Sequence, residues 1–167
     1  MSGSTYLVAI GSNRRGHHGA PRDEVAAAVQ ALPGLVAAAP IITSAPVGPS
    51  IRQFANTAAL IHTPLEPADL LGELKSIERS FGRRRGQRWG ARVIDLDIIL
   101  WSGGAVMGRG LTIPHPVFRT RDFVLAPLLH LVPRWRDPVT GRTIAQLHAR
   151  LTRRRSVPSR VVAGAGP

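Results

Sequence analysis

Asp95 and Asp97 sit one residue apart in the run Val93, Ile94, Asp95, Leu96, Asp97, Ile98, Ile99, Leu100. A strand alternates faces with period 2. Ile94, Leu96, Ile98 and Leu100 are therefore expected to face a core, and both carboxylates the opposite side. Adjacent carboxylates repel, so a strand that keeps them side by side calls for a positive charge between them. Two oxygen donors on a rigid element form the partial shell that Mg²⁺ uses, completed by water and phosphate oxygens. Just upstream, Arg83, Arg85, Arg88 and Arg92 are interspersed with Gly82, Gly86 and Gly90. The planar fork of arginine matches phosphate oxygens. Glycines let such a loop close over a ligand and reopen, and Trp89 could cover a ring. Taken alone, the arginines read as a solvated basic loop. Beside Asp95 and Asp97 they read as a metal and phosphate clamp, the equipment of phosphoryl transfer. A third group is His115, held extended between Pro114 and Pro116, with Arg119, Arg121 and Phe123 after it. A lone histidine is more often structural, so this group only supports the first two.

These residues need a frame. Residues 6–10 form a short apolar run that stops at Gly11, Ser12 and Asn13, the pattern of a buried strand ending in a turn. Pro21 opens a helix with Asp23 and Glu24 in its first turn, and Pro33 and Gly34 end it. Residues 35–43 and 54–62 read as strands, separated by a proline-rich loop over 44–53. The clearest helix is 67–81, with Leu70, Leu74, Ile77 and Phe81 on one stripe. A loop over 82–92 leads to the strand of 93–101. Residues 111–116 read as extended, 123–131 as a helix stopped by Pro133, and 143–151 as a last helix. The order β-α-β-β-α-β is that of a ferredoxin-like α+β fold, an antiparallel sheet flanked by helices, here with extra C-terminal helical elements. One domain is expected over 1–152, with 153–167 a flexible Arg/Gly/Pro-rich tail.

The chain has 167 residues, enough for one domain with a real core. It has no cysteine, so disulfides and zinc thiolates are excluded. No signal peptide or apolar run long enough to span a membrane is seen, and a cytoplasmic location is expected. Lys and Arg number 22 against 10 Asp and Glu, a net charge of +12, and Lys75 is the only lysine. Such an excess suggests a polyanionic partner, either nucleic acid or a phosphate-rich small molecule. Composition bias of the coding sequence gives the same excess with no partner at all.

At this point the residues resemble a family. Gly11, Ser12 and Asn13, then Pro46, Val47 and Gly48, Phe54 and Asn56, Ile77 and Glu78, Arg83 and Arg85, Arg88 through Arg92, Asp95 and Asp97, Pro114 and His115, and Arg121 and Phe123 occur in the order and spacing of 6-hydroxymethyl-7,8-dihydropterin pyrophosphokinases. The resemblance covers about residues 5–150. It implies transfer of diphosphate from ATP to the pterin, giving AMP, in folate biosynthesis. Asp95 and Asp97 would hold two Mg²⁺ ions. Phe54 and Phe123 would sandwich the pterin, Asn56 would bond its edge, and Ser44 and Val47 would complete its recognition. Arg83 and Arg92 would stabilise charge during transfer. Lys75, Glu78, Arg85, Trp89, Arg92, Ile98, Thr112, His115 and Arg121 would serve ATP. ATP and the pterin would be the partners of a monomer. The chain departs from the usual pattern at residues 14–19, Ser44, Ala45, Lys75, Ala91 and Gly110. The runner-up is an RNA-binding module on the same fold. That reading expects aromatics across the sheet face and leaves Asp95 and Asp97 repelling the ligand. A catalytically inert protein that keeps the fold is the third reading, and it gives no reason to retain Asp95, Asp97 and Arg92.

Overall fold

In a computed structural model, residues 2–44, 53–82 and 92–155 are described. Strand β1 (Ser4–Ser12) leads to α1 (Pro21–Ala31), then β2 (Leu35–Ala38), β3 (Ile42–Ser44) and β4 (Phe54–Thr63). Helix α2 (Pro67–Ser80) and β5 (Asp95–Trp101) follow. A hairpin of β6 (Val106–Gly108) and β7 (Leu111–Ile113), a 3₁₀ turn over Phe118–Thr120, α3 (Asp122–Leu131) and α4 (Ile144–Arg155) complete the chain. The main sheet runs β2-β4-β1-β5, with β3 also on β4, and every pairing in it is antiparallel.

Both faces of the sheet are covered. On one, Tyr6, Val8, Ile10, Ile61, Leu96 and Ile98 pack against Val25 and Val29 of α1 and Leu70 and Leu74 of α2. On the other, Leu7, Ala58, Ile99 and Leu100 pack against Phe118, Leu125 and Leu128 and against Ile144 and Leu147 of α4. Helix α1 begins at Pro21, and Asp23 Oδ2 accepts the Ala20 N–H at 2.9 Å, satisfying a donor at the helix start.

Several expectations shift. The strand expected over 35–43 is two short strands broken around Pro40, which has no N–H to give a ladder. The hydroxyl of Thr57 donates to Ala39 O at 2.8 Å across the break. Leu100 leaves the face of Leu96 and Ile98. Leu7 pairs with Leu100 but Val8 with Ile98, so Ile99 is an extra residue, and this β-bulge turns Leu100 to the α3/α4 side. The last helix continues past Thr152 to Arg155. Ile77 is only partly buried, and Glu78 takes the buried place beside Leu70 and Leu74.

Candidate active site

Cross-strand neighbours share a face. Gly11 pairs with Asn56 on one side and Asp95 on the other, and Ala9 pairs with Ala58 and Asp97. One end of one sheet face therefore carries Asn56, Gly11 and Asp95 in a row, with Asp97 behind. Helices α3 and α4 pack over Leu7, Ala58, Ile99 and Leu100 and leave the other end of this face open. The uncovered end is a cavity of about 600 Å³, within the range of small-molecule sites. Ala9 and Gly11 keep its floor low. A Cβ on Gly11 would lie 2.9 Å from Asn56 Oδ1, so glycine is what lets the Asn56 amide lie against the strand.

The walls are aromatic and charged. Phe54, at the start of β4, and Phe123, in the first turn of α3, both line the cavity and stay exposed despite their size. Asp95, Asp97, His115, Arg121 and Ser44 line it too. Arg121 stands over the Phe123 ring at 5.8 Å from its centroid. His115 is carried to Asp97 by backbone pairing: its N–H donates to Ile99 O at 3.0 Å. Burial lowers the His115 pKa, Asp97 pulls it up and Arg121 pushes it down, and the net shift favours neutral imidazole. Burial raises the Asp95 carboxyl above the ordinary range. Arg92 draws it back, while Glu78 and Asp97 add to the rise.

Beside the cavity, Glu78 links α2 to the start of β5. Its Oε1 accepts the Leu96 N–H at 2.9 Å, and its Oε2 meets Lys75 Nζ at 3.2 Å and Arg92 Nη1 at 3.9 Å. Arg92 Nη1 lies 3.6 Å from Asp95 Oδ1. This chain of charges places Arg92 next to the carboxylate pair.

The structure thus brings Ser44, Phe54, Asn56, Asp95, Asp97, His115, Arg121 and Phe123 to one cavity, with Lys75, Glu78 and Arg92 behind its acidic edge. Two expected residues fall elsewhere. The Ile98 side chain is 4% exposed and packs in the α1/α2 core, because period 2 directs it away from Asp97. Only its backbone is left to serve a ligand. Thr112 sits in the β6–β7 hairpin opposite Met107 and does not line the cavity. Val47, Arg83, Arg85 and Trp89 lie outside the described residues. Ser12 and Asn13 line the cavity as well. Their signal was the abrupt stop of the first apolar run, for which residue types alone give no role.

Among the described residues no cluster of three or more Asp, Glu, His or Cys side chains could hold a metal. Two carboxylates facing one cavity still suit a hard cation whose remaining ligands come from phosphate and water.

A slot edged by two aromatic rings, an amide at its floor and paired acidic and cationic groups on one wall is the equipment of a nucleotide-dependent transferase. The comparisons agree. The family model for 7,8-dihydro-6-hydroxymethylpterin-pyrophosphokinase (HPPK) matches residues 7–133, and the chain belongs to that family. A protein of Pseudomonas aeruginosa named 2-amino-4-hydroxy-6-hydroxymethyldihydropteridine pyrophosphokinase is 41% identical over 148 residues, 85% of this chain and 88% of that protein. Its namesake in Haemophilus influenzae is 37% identical over 133 residues, 76% of this chain and 81% of that protein. Another in Synechocystis is 42% identical over 100 residues, 60% of this chain and 51% of that protein. A crystal structure of Plasmodium falciparum HPPK-DHPS shares the fold with a TM-score of 0.73 at 13% identity, covering 92% of this chain and 45% of that one. The chain thus spans about half the length of the Synechocystis protein and under half of the Plasmodium chain.

Proposed function

We propose that this chain transfers diphosphate from ATP to the hydroxymethyl oxygen of 6-hydroxymethyl-7,8-dihydropterin and releases AMP. The observation that carries the reading is the convergence of Phe54, Phe123, Asn56, Asp95 and Asp97 on one cavity. A flat heterocycle gains most between two aromatic faces. An asparagine amide both donates to and accepts from an amide-like ring edge. Asp95 and Asp97 would hold two Mg²⁺ ions, which would supply positive charge to offset that of the phosphates. Arg92 and Arg121 add fixed positive charge on either side, and neutral His115 offers a hydrogen bond without repelling them. In the step itself the hydroxymethyl oxygen forms a bond to the β-phosphorus. The bond from that phosphorus to the bridging oxygen of AMP breaks, AMP keeps the electron pair, and the hydroxyl proton is released. Positioning and electrostatics do most of the catalysis.

The strand order β2-β4-β1-β5, antiparallel throughout, supports the ferredoxin-like reading of the βαββαβ core. No helix among the described residues is long and apolar enough to cross a membrane. The RNA-binding reading has no support: the sheet face that would stack bases is largely covered by α3 and α4. The deciding experiment incubates the protein with Mg²⁺, ATP and the pterin and separates the nucleotides. AMP forming in step with pterin consumption is expected; ADP would overturn the reading.

A further inference from the structure

Residues 16–19 form a folded turn. Gly16 and Gly19 exchange backbone bonds at 3.0 and 3.3 Å. The turn is tied down from below by Glu24 of α1, whose side chain is fully buried. Glu24 Oε1 accepts the His18 backbone N–H at 2.6 Å, and Oε2 faces His18 Nδ1 at 2.9 Å. A carboxylate only accepts, so this bond forms with the tautomer that carries the hydrogen on Nδ1. From above, the His18 ring stacks on Phe81 at 4.7 Å, with 29° between the planes. Gly16 lies so close to Val93 that a Cβ there would be 2.6 Å from Val93 Cγ1 and 2.5 Å from Glu24 Oε1. A Cβ on Gly82 would be 3.0 Å from Val93 Cγ2. One turn therefore touches both Phe81, just past the end of α2, and Val93, next to Arg92 and two residues before Asp95.

We infer that His18 and Glu24 are positioning residues for Arg92 and Asp95, acting through the turn at 16–19 that packs against Phe81 and Val93. Residues 92–94 precede β5 and have no sheet partner, so packing must hold them in place. Arg92 reaches Asp95 and Glu78 only at 3.6 and 3.9 Å, a geometry that a small backbone displacement abolishes. His18 and Glu24 themselves are not among the residues that line the cavity. For catalysis the inference rests on the pyrophosphokinase reading; for structure it does not.

The test compares wild type, His18→Ala and His18→Asn, whose amide keeps a donor near the place of Nδ1. For His18→Ala, turnover to AMP falls about tenfold, the scale of a modest misplacement of a catalytic group. Pterin affinity measured calorimetrically stays within about twofold, since neither His18 nor Glu24 lines that cavity. Amide exchange accelerates over 92–96 and not over 4–12. His18→Asn recovers most of the turnover. Native turnover and native exchange in His18→Ala would overturn the inference. So would exchange accelerated equally over 4–12, which marks general loosening. If wild type forms no AMP, the pyrophosphokinase reading falls, and exchange over 92–96 alone decides the structural claim.

Discussion

Asp95 sits in a local conflict. Burial and the nearby Glu78 and Asp97 carboxylates disfavour its charge, and Arg92 only partly offsets them. A carboxyl whose pKa is raised in the folded state stabilises the fold most below its unfolded pKa. That contribution is lost as pH rises through the folded value. The Asp95 side chain is 59% exposed, so solvent screens most of this effect and the charged group is only a slight burden at neutral pH. Asp95→Asn keeps the shape and removes the charge, so the melting temperature at neutral pH is expected to rise slightly. Turnover is expected to fall by roughly three orders of magnitude, because the variant lacks one of the two carboxylates proposed to hold Mg²⁺. Calorimetry and the AMP assay on the same preparation check both signs; a lower melting temperature contradicts the assignment. Gly11 makes a complementary prediction on the pterin side. Gly11→Ala places a Cβ 2.9 Å from Asn56 Oδ1 and displaces that amide. The KM for the pterin is expected to rise about tenfold while that for ATP changes little, the loss expected for one misplaced buried hydrogen-bonding group. Equal changes in both KM values would contradict it.

At the scale of elements, the joint between α2 and β5 carries the most. Glu78 occupies a place in the apolar seam of α2, one turn after Leu74, and caps the start of β5 through Leu96. Glu78→Ala strands the buried Leu96 N–H and is expected to cost about 1–3 kcal/mol in urea unfolding. Glu78→Gln keeps an acceptor for Leu96 but loses the charge that holds Lys75 and Arg92. Its stability should stay within about 1 kcal/mol of wild type while turnover drops at least tenfold. A Glu78→Gln enzyme with native turnover would separate Arg92 from this joint. Elements of this kind also show what the sequence makes legible. Asp95 and Asp97 could be read because strand periodicity puts them on one face, Phe54, Asn56 and Phe123 only through the family resemblance, and the structure gathers all five in one cavity. Leu100 could not, because a bulge is a property of the pairing with β1 and not of β5 alone. The short β6 strand, Val106–Gly108, carries too little pattern to stand out, and it forms only against β7. The place of Glu78 as a buried acceptor, and the bond between His18 and Glu24, depend on partners brought together by the fold. Residue types at a fixed spacing do not reveal them.

The whole molecule depends on another acid, fully buried, whose shift has the opposite sign. Asp137, with no exposed surface, accepts Arg119 Nε at 2.6 Å and Nη2 at 2.8 Å, the Thr140 hydroxyl at 2.7 Å and the Val139 N–H at 3.1 Å. It fastens the loop before α4 to the 3₁₀ turn that precedes Arg121 and α3, and so fixes the wall bearing Arg121 and Phe123. Burial alone would raise its carboxyl. The bonds from Arg119, Thr140 and Val139 outweigh burial and hold it below the ordinary range. A depressed carboxyl stabilises the fold above its unfolded pKa, and that contribution disappears as pH falls through the folded value. The chain already carries a net charge of +12, so acidification adds repulsion just as this anchor is lost. Asp137→Asn is expected to cost about 3 kcal/mol at neutral pH, the lower end for breaking a buried pair, since Arg119 keeps some contact with water. The gap in melting temperature between wild type and Asp137→Asn should be widest at neutral pH. It should narrow as pH drops below the ordinary aspartate range. A gap that stays constant on acidification would mean that Asp137 is not the group whose protonation releases the α3 wall.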